Sequence, residues 1–306
     1  MRTVPAPIFP LIAVLSWGAM FPIAAIAMPH VDAFNITAIR YGVASLIFVI
    51  MLALAEGRRA FSLEGRGWRL FSLGSLGFAG FNLLAYLALI WSPPQDVAVI
   101  VPTMPLVTVL VRWARGGGRP SPVMLSASVA ALIGVFLVVT KGDVTRLSGG
   151  LGDVLTFLGV ICWVVYTTSA ASFPSWSALR FTALTAPLGT VTILAATAVA
   201  DAFGWQRLPS LADLGAAWWE IAFIVLFGAV AAVLAWNHGV KLLGAANTAL
   251  FIILVPVVAL AMRIAGGYQP TPVELAGIAV VIGALVLANL GGRRAATRAL
   301  VATAAD

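Results

Sequence analysis

Long apolar stretches, separated by short polar or Pro/Gly-rich connections, recur along the whole chain. Each stretch has about 20 residues, which is the length that an α-helix needs to cross the hydrocarbon core of a bilayer. Connections such as "PHVDA" and "SPPQ" are so short that neighbouring helices must be antiparallel. The pattern predicts an all-α polytopic membrane protein with ten transmembrane helices, at residues 8–28, 34–55, 70–91, 95–113, 122–140, 151–171, 179–200, 219–240, 246–265 and 273–291.

The composition favours a membrane protein over a water-soluble domain. Of the 306 residues, 61% are hydrophobic and only 9% are charged, whereas soluble domains carry about 25% charged residues. The first apolar run follows a lone Arg2 and continues without a small-residue cleavage site, so we interpret it as a first spanning helix rather than a cleaved signal peptide. The single cysteine, Cys162, leaves no disulfide framework or thiolate metal site available.

The basic residues segregate to one side of the predicted topology. With a cytoplasmic N-terminus, the inner side holds Arg2, Arg58, Arg59, Arg66, Arg69, Arg112, Arg115, Arg119, Arg180, Lys241, Arg293, Arg294 and Arg298. The outer side holds only Lys141, Arg146, Arg207 and Arg263. Because cytoplasmic loops retain Lys and Arg, we predict a bacterial-type inner-membrane protein with both termini cytoplasmic. The net charge of +7 then reflects topology and anionic lipid headgroups, and we expect no nucleic-acid partner.

The second half of the chain resembles the first. The segment "LIAVLSWGAMFPIA" aligns with "FLGVICWVVYTTSA", so that Trp17 matches Trp163. The segment "DVAVIVPTMPLVTVL" aligns with "NTALFIILVPVVALA" at nearly the same offset, so that Pro105 matches Pro256. Two such blocks, followed in the same order by "RPSPV" and "QPTPV", indicate an internal repeat.

Each half contains five predicted helices, an odd number, so the second half enters the membrane from the opposite side. We therefore predict two inverted five-helix repeats, at residues 1–143 and 144–306. This architecture is typical of secondary transporters, whose substrate site lies at the repeat interface near the bilayer midplane.

The matched prolines are candidates for a pair of hinges. Proline removes a backbone donor and kinks a helix, and a bent helix at membrane depth is tolerated where it is packed in protein or lines a wet cavity. We therefore predict that Pro105 and Pro256 are hinges beside a central site. The alternative is that they are ordinary packing residues, since proline is more frequent in membrane helices than in soluble ones.

Several features of the sequence resemble those of a known transporter family. Ten helices arranged as five plus five, "GDVLTFLGVICWVVY" at the start of the second half, and a proline in the fourth and ninth helices resemble the EamA branch of the drug/metabolite transporter superfamily, over nearly the whole chain. Within that branch the sequence looks most like the YddG-type bacterial aromatic amino-acid exporters. The resemblance implies export of small metabolites without a cofactor, and a central cavity surrounded by the first, third, fourth, sixth, eighth and ninth helices. The first helix lacks the acidic residue of the related four-helix multidrug pumps.

Six aromatic or amide side chains are candidates for substrate binding, namely Trp17, Asn82, Tyr86, Trp163, Trp236 and Asn237. Aromatic rings can stack on a substrate ring, and amide and phenol groups can bond a carboxylate or ammonium without placing a fixed charge in the membrane. We predict a monomer or weak dimer that exports aromatic and other hydrophobic amino acids by alternating access. The alternatives are a packing role for the tryptophans, and export of other small metabolites, drugs or sugar-linked solutes.

Two further alternatives concern Arg40 and the class of protein. Arg40 is the only cation predicted well inside a helix, where a charge is expensive. One alternative is that Arg40 binds a substrate carboxylate. The other is a structural role, in which it pairs with backbone carbonyls or snorkels to the lipid headgroups. We favour the structural role because the second helix lies outside the set that surrounds the expected cavity. An enzyme is not expected, since the predicted helices contain no carboxylate pair and no Cys/His neighbourhood. A channel or scramblase is distinguished from a carrier by saturation of the transport rate.

Overall fold

The chain, represented here by a computed structural model, is described at residues 5–147 and 149–303. This part of the chain is helical and contains no β-strand. Ten long helices follow one another in it: α1 Ile8–Ala27, α2 Ala33–Glu56, α3 Gly67–Ala88, α4 Asp96–Ala114, α5 Pro122–Thr140, α6 Leu151–Ser172, α7 Ala178–Ala202, α8 Trp218–Leu243, α9 Ala245–Ala265 and α10 Pro272–Thr303. Short helices at Arg58–Phe61, Val144–Arg146 and Leu211–Ala216 lie in the connections.

Nine of these helices, within the described residues, are long and apolar enough to cross a bilayer, and they are α1 to α9. The tenth helix, α10, begins with a shorter apolar segment, Pro272–Ala288. The chain is therefore an all-helical, multi-pass membrane protein, and the count of ten spans stays a prediction. The predicted inner-side residues Arg293, Arg294 and Arg298 have side chains outside the described part, and Arg2 lies outside the described residues altogether.

The tenth helix, expected at 273–291, continues to Thr303. Among α1 to α9 the largest difference from the predicted boundaries is in the third helix, which was expected at 70–91 and lies at Gly67–Ala88. The backbone N–H groups of Leu89 and Trp91 bond to carbonyls three residues earlier, which tightens the chain out of the α-helix. Pro93 follows immediately, and the residues before a proline are biased away from helical geometry. The apolar run therefore continues for one turn after the α-helix has ended.

Glycine residues allow the helices to approach closely. A Cβ atom on Gly134 of α5 would lie 2.8 Å from the carbonyl oxygen of Gly277 on α10, and a Cβ on Gly277 would lie 2.7 Å from the carbonyl oxygen of Gly134. A Cβ on Gly74 of α3 or on Gly189 of α7 would likewise collide with the backbone of the facing helix. Lipid tails are as apolar as leucine, so helix association in a membrane depends on such close backbone packing.

The Gly152-Asp153 pair, which carried part of the family resemblance, docks the start of α6 against the end of α3. A Cβ on Gly152 would collide with the carbonyl oxygen of Ala88. The Ser92 hydroxyl donates to the Asp153 carboxylate at 2.8 Å. The glycine thus provides the space and the carboxylate provides the bond that joins the two halves of the chain at this end.

Irregular segments interrupt four of the described helices, α3, α4, α8 and α9, and a fifth, at Ala170–Ser172, ends α6. The helix α3 has a π-helical segment at Ser75–Gly80, and α8 has one at Ile224–Ala231. The helices α4 and α9 have 3₁₀ segments at Val101–Thr103 and Leu250–Ile253. In both α4 and α9 the segment ends just before the regular helix that contains the matched proline, Pro105 or Pro256. In these two helices the irregular backbone therefore lies next to the prolines that the sequence analysis singled out.

The close contact of α5 with α10 predicts a position-specific effect of a single methyl group. Gly277→Ala should lower the free energy of unfolding by about 1–3 kcal/mol, since the facing backbone has to shift. Gly283→Ala, on the same helix, is the matched control, because a Cβ at Gly283 meets no atom within 4 Å. Thermal denaturation of the purified variants in detergent measures both effects. Equal melting temperatures for the two variants would contradict this packing.

Candidate functional site

Three of the candidate tryptophans meet in the interior of the bundle. The ring centroids of Trp17 and Trp163 are 5.8 Å apart at an interplanar angle of 82°, and those of Trp17 and Trp236 are 5.2 Å apart. The Trp163 and Trp236 centroids are separated by 6.3 Å. The rings come from α1, α6 and α8, and those of Trp163 and Trp236 are buried. We call these three residues the aromatic cluster.

The three indole N–H groups of the aromatic cluster have different surroundings. The Trp17 Nε1 donates to the carbonyl oxygen of Gly228, in the π-helical segment of α8, at 2.9 Å. The Trp236 Nε1 lies 3.5 Å from the hydroxyl of Thr167. The Trp163 Nε1 is buried and has no hydrogen-bond partner among the described residues. Since buried polar groups are nearly always paired, this donor is available to a bound molecule.

Asn237, next to Trp236 on α8, presents a second unpaired group. Its Nδ2 donates to the Tyr166 hydroxyl at 2.9 Å and to the Thr182 hydroxyl at 2.8 Å. Its Oδ1 is buried and accepts no hydrogen bond from the described residues. The two bonds hold the amide with its oxygen available, and an unpaired buried acceptor costs about 1–3 kcal/mol until a donor reaches it.

A cavity of about 360 Å³ reaches this amide. It lies between the end of α6, the start of α7, the end of α8 and the start of α9, and its lining includes Thr167, Phe173, Trp176, Phe181, Asn237 and Lys241. Thr167, which contacts the Trp236 indole, connects the lining to the aromatic cluster. The lining differs from the helix set implied by the family resemblance, because α7 contributes to it and α1, α3 and α4 do not.

Trp176 forms one wall of the cavity and is held by three charged side chains. Its indole donates to the Glu64 carboxylate at 3.0 Å, and the Arg180 guanidinium lies 4.1 Å from its ring centroid. Arg180 pairs with Glu64 at 2.8 Å, while the Lys241 ammonium donates to the Trp176 carbonyl. The Trp176 indole and the Arg180 guanidinium hold the pKa of the Glu64 carboxyl below its usual value, against the opposing effect of desolvation. The network joins the α2–α3 connection to α7 and α8 at this end of the bundle.

Asn82 belongs to a different polar cluster, on α2 and α3. The Arg40 guanidinium donates to Asn82 Oδ1, and Asn82 Nδ2 donates to the carbonyl oxygen of Phe78 at 2.8 Å. Arg40 is 3% exposed, so snorkelling to the headgroups is wrong for this side chain. Among the described residues its partners are the side chains of Asn82, Met20 and Tyr41 rather than backbone carbonyls.

The six candidates are therefore only partly brought together. Trp17, Trp163 and Trp236 form the aromatic cluster, Asn237 adjoins it and reaches the cavity, and Asn82 pairs with Arg40. Tyr86 is half-buried and makes no ring contact or side-chain hydrogen bond with the described residues. Its spacing from Asn82 puts the two residues on one helix face. No described side chain of a facing helix forms a hydrogen bond or ring contact with the tyrosine.

Several residues of the site were absent from the sequence-based set. Trp176, Tyr166, Phe181 and Thr182 line the cavity or hold Asn237 in place. Trp176 stands in a connection, where tryptophan is typical of the membrane interface, yet it is 2% exposed. The one signal in the sequence is Arg180, four residues after Trp176, whose guanidinium lies 4.1 Å from the centroid of the Trp176 ring.

Comparisons with known proteins agree with this architecture. The model of the EamA-like transporter family matches residues 5–140 and 150–290. The uncharacterized transporter YrdR of Bacillus subtilis is 33% identical over 93% of this chain and 91% of its own length. A probable terminal-alkyne amino-acid exporter of Streptantibioticus cattleyicolor is 23% identical over 94% of this chain and 95% of its own length. A solved crystal structure has the same fold, with a TM-score of 0.77 at 19% identity, and covers 94% of this chain and 98% of that one.

Proposed function

Because the chain belongs to the EamA-like transporter family, we propose that it exports aromatic and other hydrophobic amino acids across a bacterial inner membrane by alternating access. The matched family and the relative YrdR are both described as transporters, which favours a transporter over an enzyme. The relative named as a probable amino-acid exporter supports the substrate class, although its identity to this chain is 23%.

The observation that carries the proposal is the free acceptor of Asn237 beside the aromatic cluster. The ammonium group of an amino acid is a strong donor, and Asn237 Oδ1 is a buried acceptor at the lining of the cavity. Beyond it, the Trp163 and Trp236 rings offer stacking and edge-to-face contacts, worth about 0.5–1.5 kcal/mol per ring pair beyond area burial. An apolar ring carrying a small polar head is the ligand whose chemistry matches this arrangement.

Counterflow in proteoliposomes tests the substrate class. We expect saturable exchange of radiolabelled phenylalanine, measured with and without a pH gradient. Asn237→Ala should raise the half-saturation concentration roughly tenfold, since a hydrogen bond to a charged group contributes about 1.5–3 kcal/mol. Trp163→Phe should raise it less, because a phenyl ring keeps an aromatic contact while the indole N–H donor and the second ring are lost.

Trp219→Ala is the control for these variants, because that ring is exposed at the start of α8. It should leave phenylalanine exchange unchanged. The proposal fails if phenylalanine, leucine and methionine show no saturable exchange, and saturable exchange of a sugar-linked solute or a cationic drug instead would establish the alternative substrate class. Unchanged half-saturation in both Asn237→Ala and Trp163→Phe would remove these residues from the site.

We also propose that the two halves are inverted repeats with both termini in the cytoplasm. The support is that π-helical segments occur in α3 and α8, and 3₁₀ segments in α4 and α9, which are the third and fourth helices of each half. The arginine-rich α2–α3 connection also meets the start of α7, where Arg180 donates to the carbonyls of Ala60 and Ser62.

Labelling with a membrane-impermeant maleimide tests the orientation in intact cells, in a Cys162→Ser background. Arg146→Cys lies in the exposed α5–α6 connection and should be labelled from outside. Arg58→Cys, in the α2–α3 connection, should be labelled only after the membrane is permeabilised. The reverse pattern would show that the termini face outward.

The paired prolines generate a kinetic prediction. We propose that α4 and α9 bend at their irregular segments during transport. Pro105→Ala and Pro256→Ala should then lower the maximal exchange rate several-fold, because a restored backbone hydrogen bond stiffens the helix. Substrate affinity should change less. Pro187→Ala is the matched control, since Pro187 lies inside the uninterrupted α7. Wild-type rates in both hinge variants would make these prolines packing residues.

A further inference from the structure

Arg40 is a buried cation, and the side chains that it contacts among the described residues are neutral. Its guanidinium bonds Asn82 Oδ1, lies 3.1 Å from the Met20 thioether sulfur and 4.4 Å from the centroid of the Tyr41 ring. Among the described residues it takes part in no ion pair. A guanidinium cannot lose its charge by giving up a proton in a protein, so a positive charge is present in the interior, and no carboxylate of the described residues pairs with it.

The hydrogen-bonding capacity of Arg40 is also unfilled. The Nε is buried and has no partner among the described residues. The Nη1 has the Met20 sulfur, and a thioether is a weak acceptor. A buried charge without its partner is strongly destabilising, and an ionisable residue at membrane depth is a functional candidate by default. The missing partner is therefore an anion, and the planar fork of N–H groups matches the two oxygens of a carboxylate.

Met20 lies between this guanidinium and the backbone of α8. Its sulfur contacts Arg40 on one side, and on the other it lies so close to α8 that a Cβ on Gly228 would come within 2.6 Å of it. The carbonyl oxygen of the same Gly228 accepts the Trp17 indole N–H. A single unbranched, flexible side chain thus fills the space between the cation and the backbone that positions the cluster.

We propose that Arg40 binds the carboxylate of the transported substrate, which displaces the Met20 thioether from the guanidinium. The inference rests on the proposed function in taking an amino acid as the substrate. Asn237 lines the cavity, whereas the buried Arg40 is not part of its lining, so the two groups engage the substrate at different stages of the transport cycle. Tyr41 and Asn82 hold the guanidinium in place throughout.

Ligand-induced thermal stabilisation of the purified full-length protein in detergent tests this assignment. The probes are phenylalanine, 3-phenylpropanoate and phenylalaninamide. All three keep the phenyl ring; 3-phenylpropanoate lacks the ammonium group, and phenylalaninamide lacks the carboxylate. The wild-type protein should bind the two carboxylate probes at least tenfold more tightly than the amide. Arg40→Gln should abolish that preference, and Arg263→Gln, at the end of α9, should keep it.

Asn82→Asp gives a second test that does not remove the cation. It places a carboxylate on the atom that already touches the guanidinium, so the charge is balanced within the protein and the carboxylate probes should bind at least tenfold more weakly. A merely structural Arg40 would leave the preference for carboxylate probes unchanged in this variant. Met20→Leu, which removes the sulfur and nearly keeps the volume, should retain the preference.

The outcomes separate this inference from the proposed function. Equal wild-type binding of phenylalanine and phenylalaninamide, or no binding of any carboxylate probe, would overturn the assignment of Arg40, as would an unchanged preference in both Arg40→Gln and Asn82→Asp. If Arg40→Gln does not insert, Asn82→Asp decides. If no amino acid supports counterflow while 3-phenylpropanoate binds in an Arg40-dependent way, the amino-acid proposal fails and the carboxylate site stands.

Discussion

The structure depends on the rule that no backbone polar group can be left unpaired in hydrocarbon. A regular α-helix meets this rule by itself, and an irregular segment meets it only with help from the rest of the protein. In α3 and α8 the help comes from the candidate site. The carbonyl of Gly228, in one π-helical segment, accepts the Trp17 indole N–H, and the carbonyl of Phe78, in the other, accepts the Asn82 amide. The backbone irregularity and the position of the polar side chains are therefore one feature, in agreement with the frequent occurrence of π-bulges at functional sites.

The same rule explains how much of the fold could be predicted from the sequence. Apolar runs of the right length can only be spanning helices, so nine of them were found with small errors at their ends. Errors occurred where the apolar run and the hydrogen-bonded helix differ, as at Leu89–Trp91, which hydropathy cannot distinguish from helix. Proline marked the breaks in α4 and α9, because it removes a donor, but no residue type marked the π-helical segments in advance.

The candidate site was harder to predict, because these helices are apolar on all sides and hydropathy does not show which face points inward. Internal matching selected Trp17 and Trp163, and the structure brings their rings together. Tyr166 and Thr182 were missed since threonine and tyrosine are common in apolar helices and signal nothing alone. Arg40 was assigned to a helix outside the expected cavity, and only the three-dimensional arrangement shows that it points to Asn82.

The two polar clusters of the interior differ in charge, and this difference bears on how a transporter releases what it binds. Asn237 and its partners Tyr166 and Thr182 are neutral, whereas the Arg40 cluster carries a full positive charge. A transporter must bind its solute tightly enough to take it up and weakly enough to release it. A guanidinium free of all partners would hold a carboxylate too strongly for release, since interactions between charges are strong in a medium of low dielectric constant. Asn82 occupies one N–H group and the Met20 thioether lies against another, so in the proposed carboxylate site the thioether is the contact that replaces the anion on release.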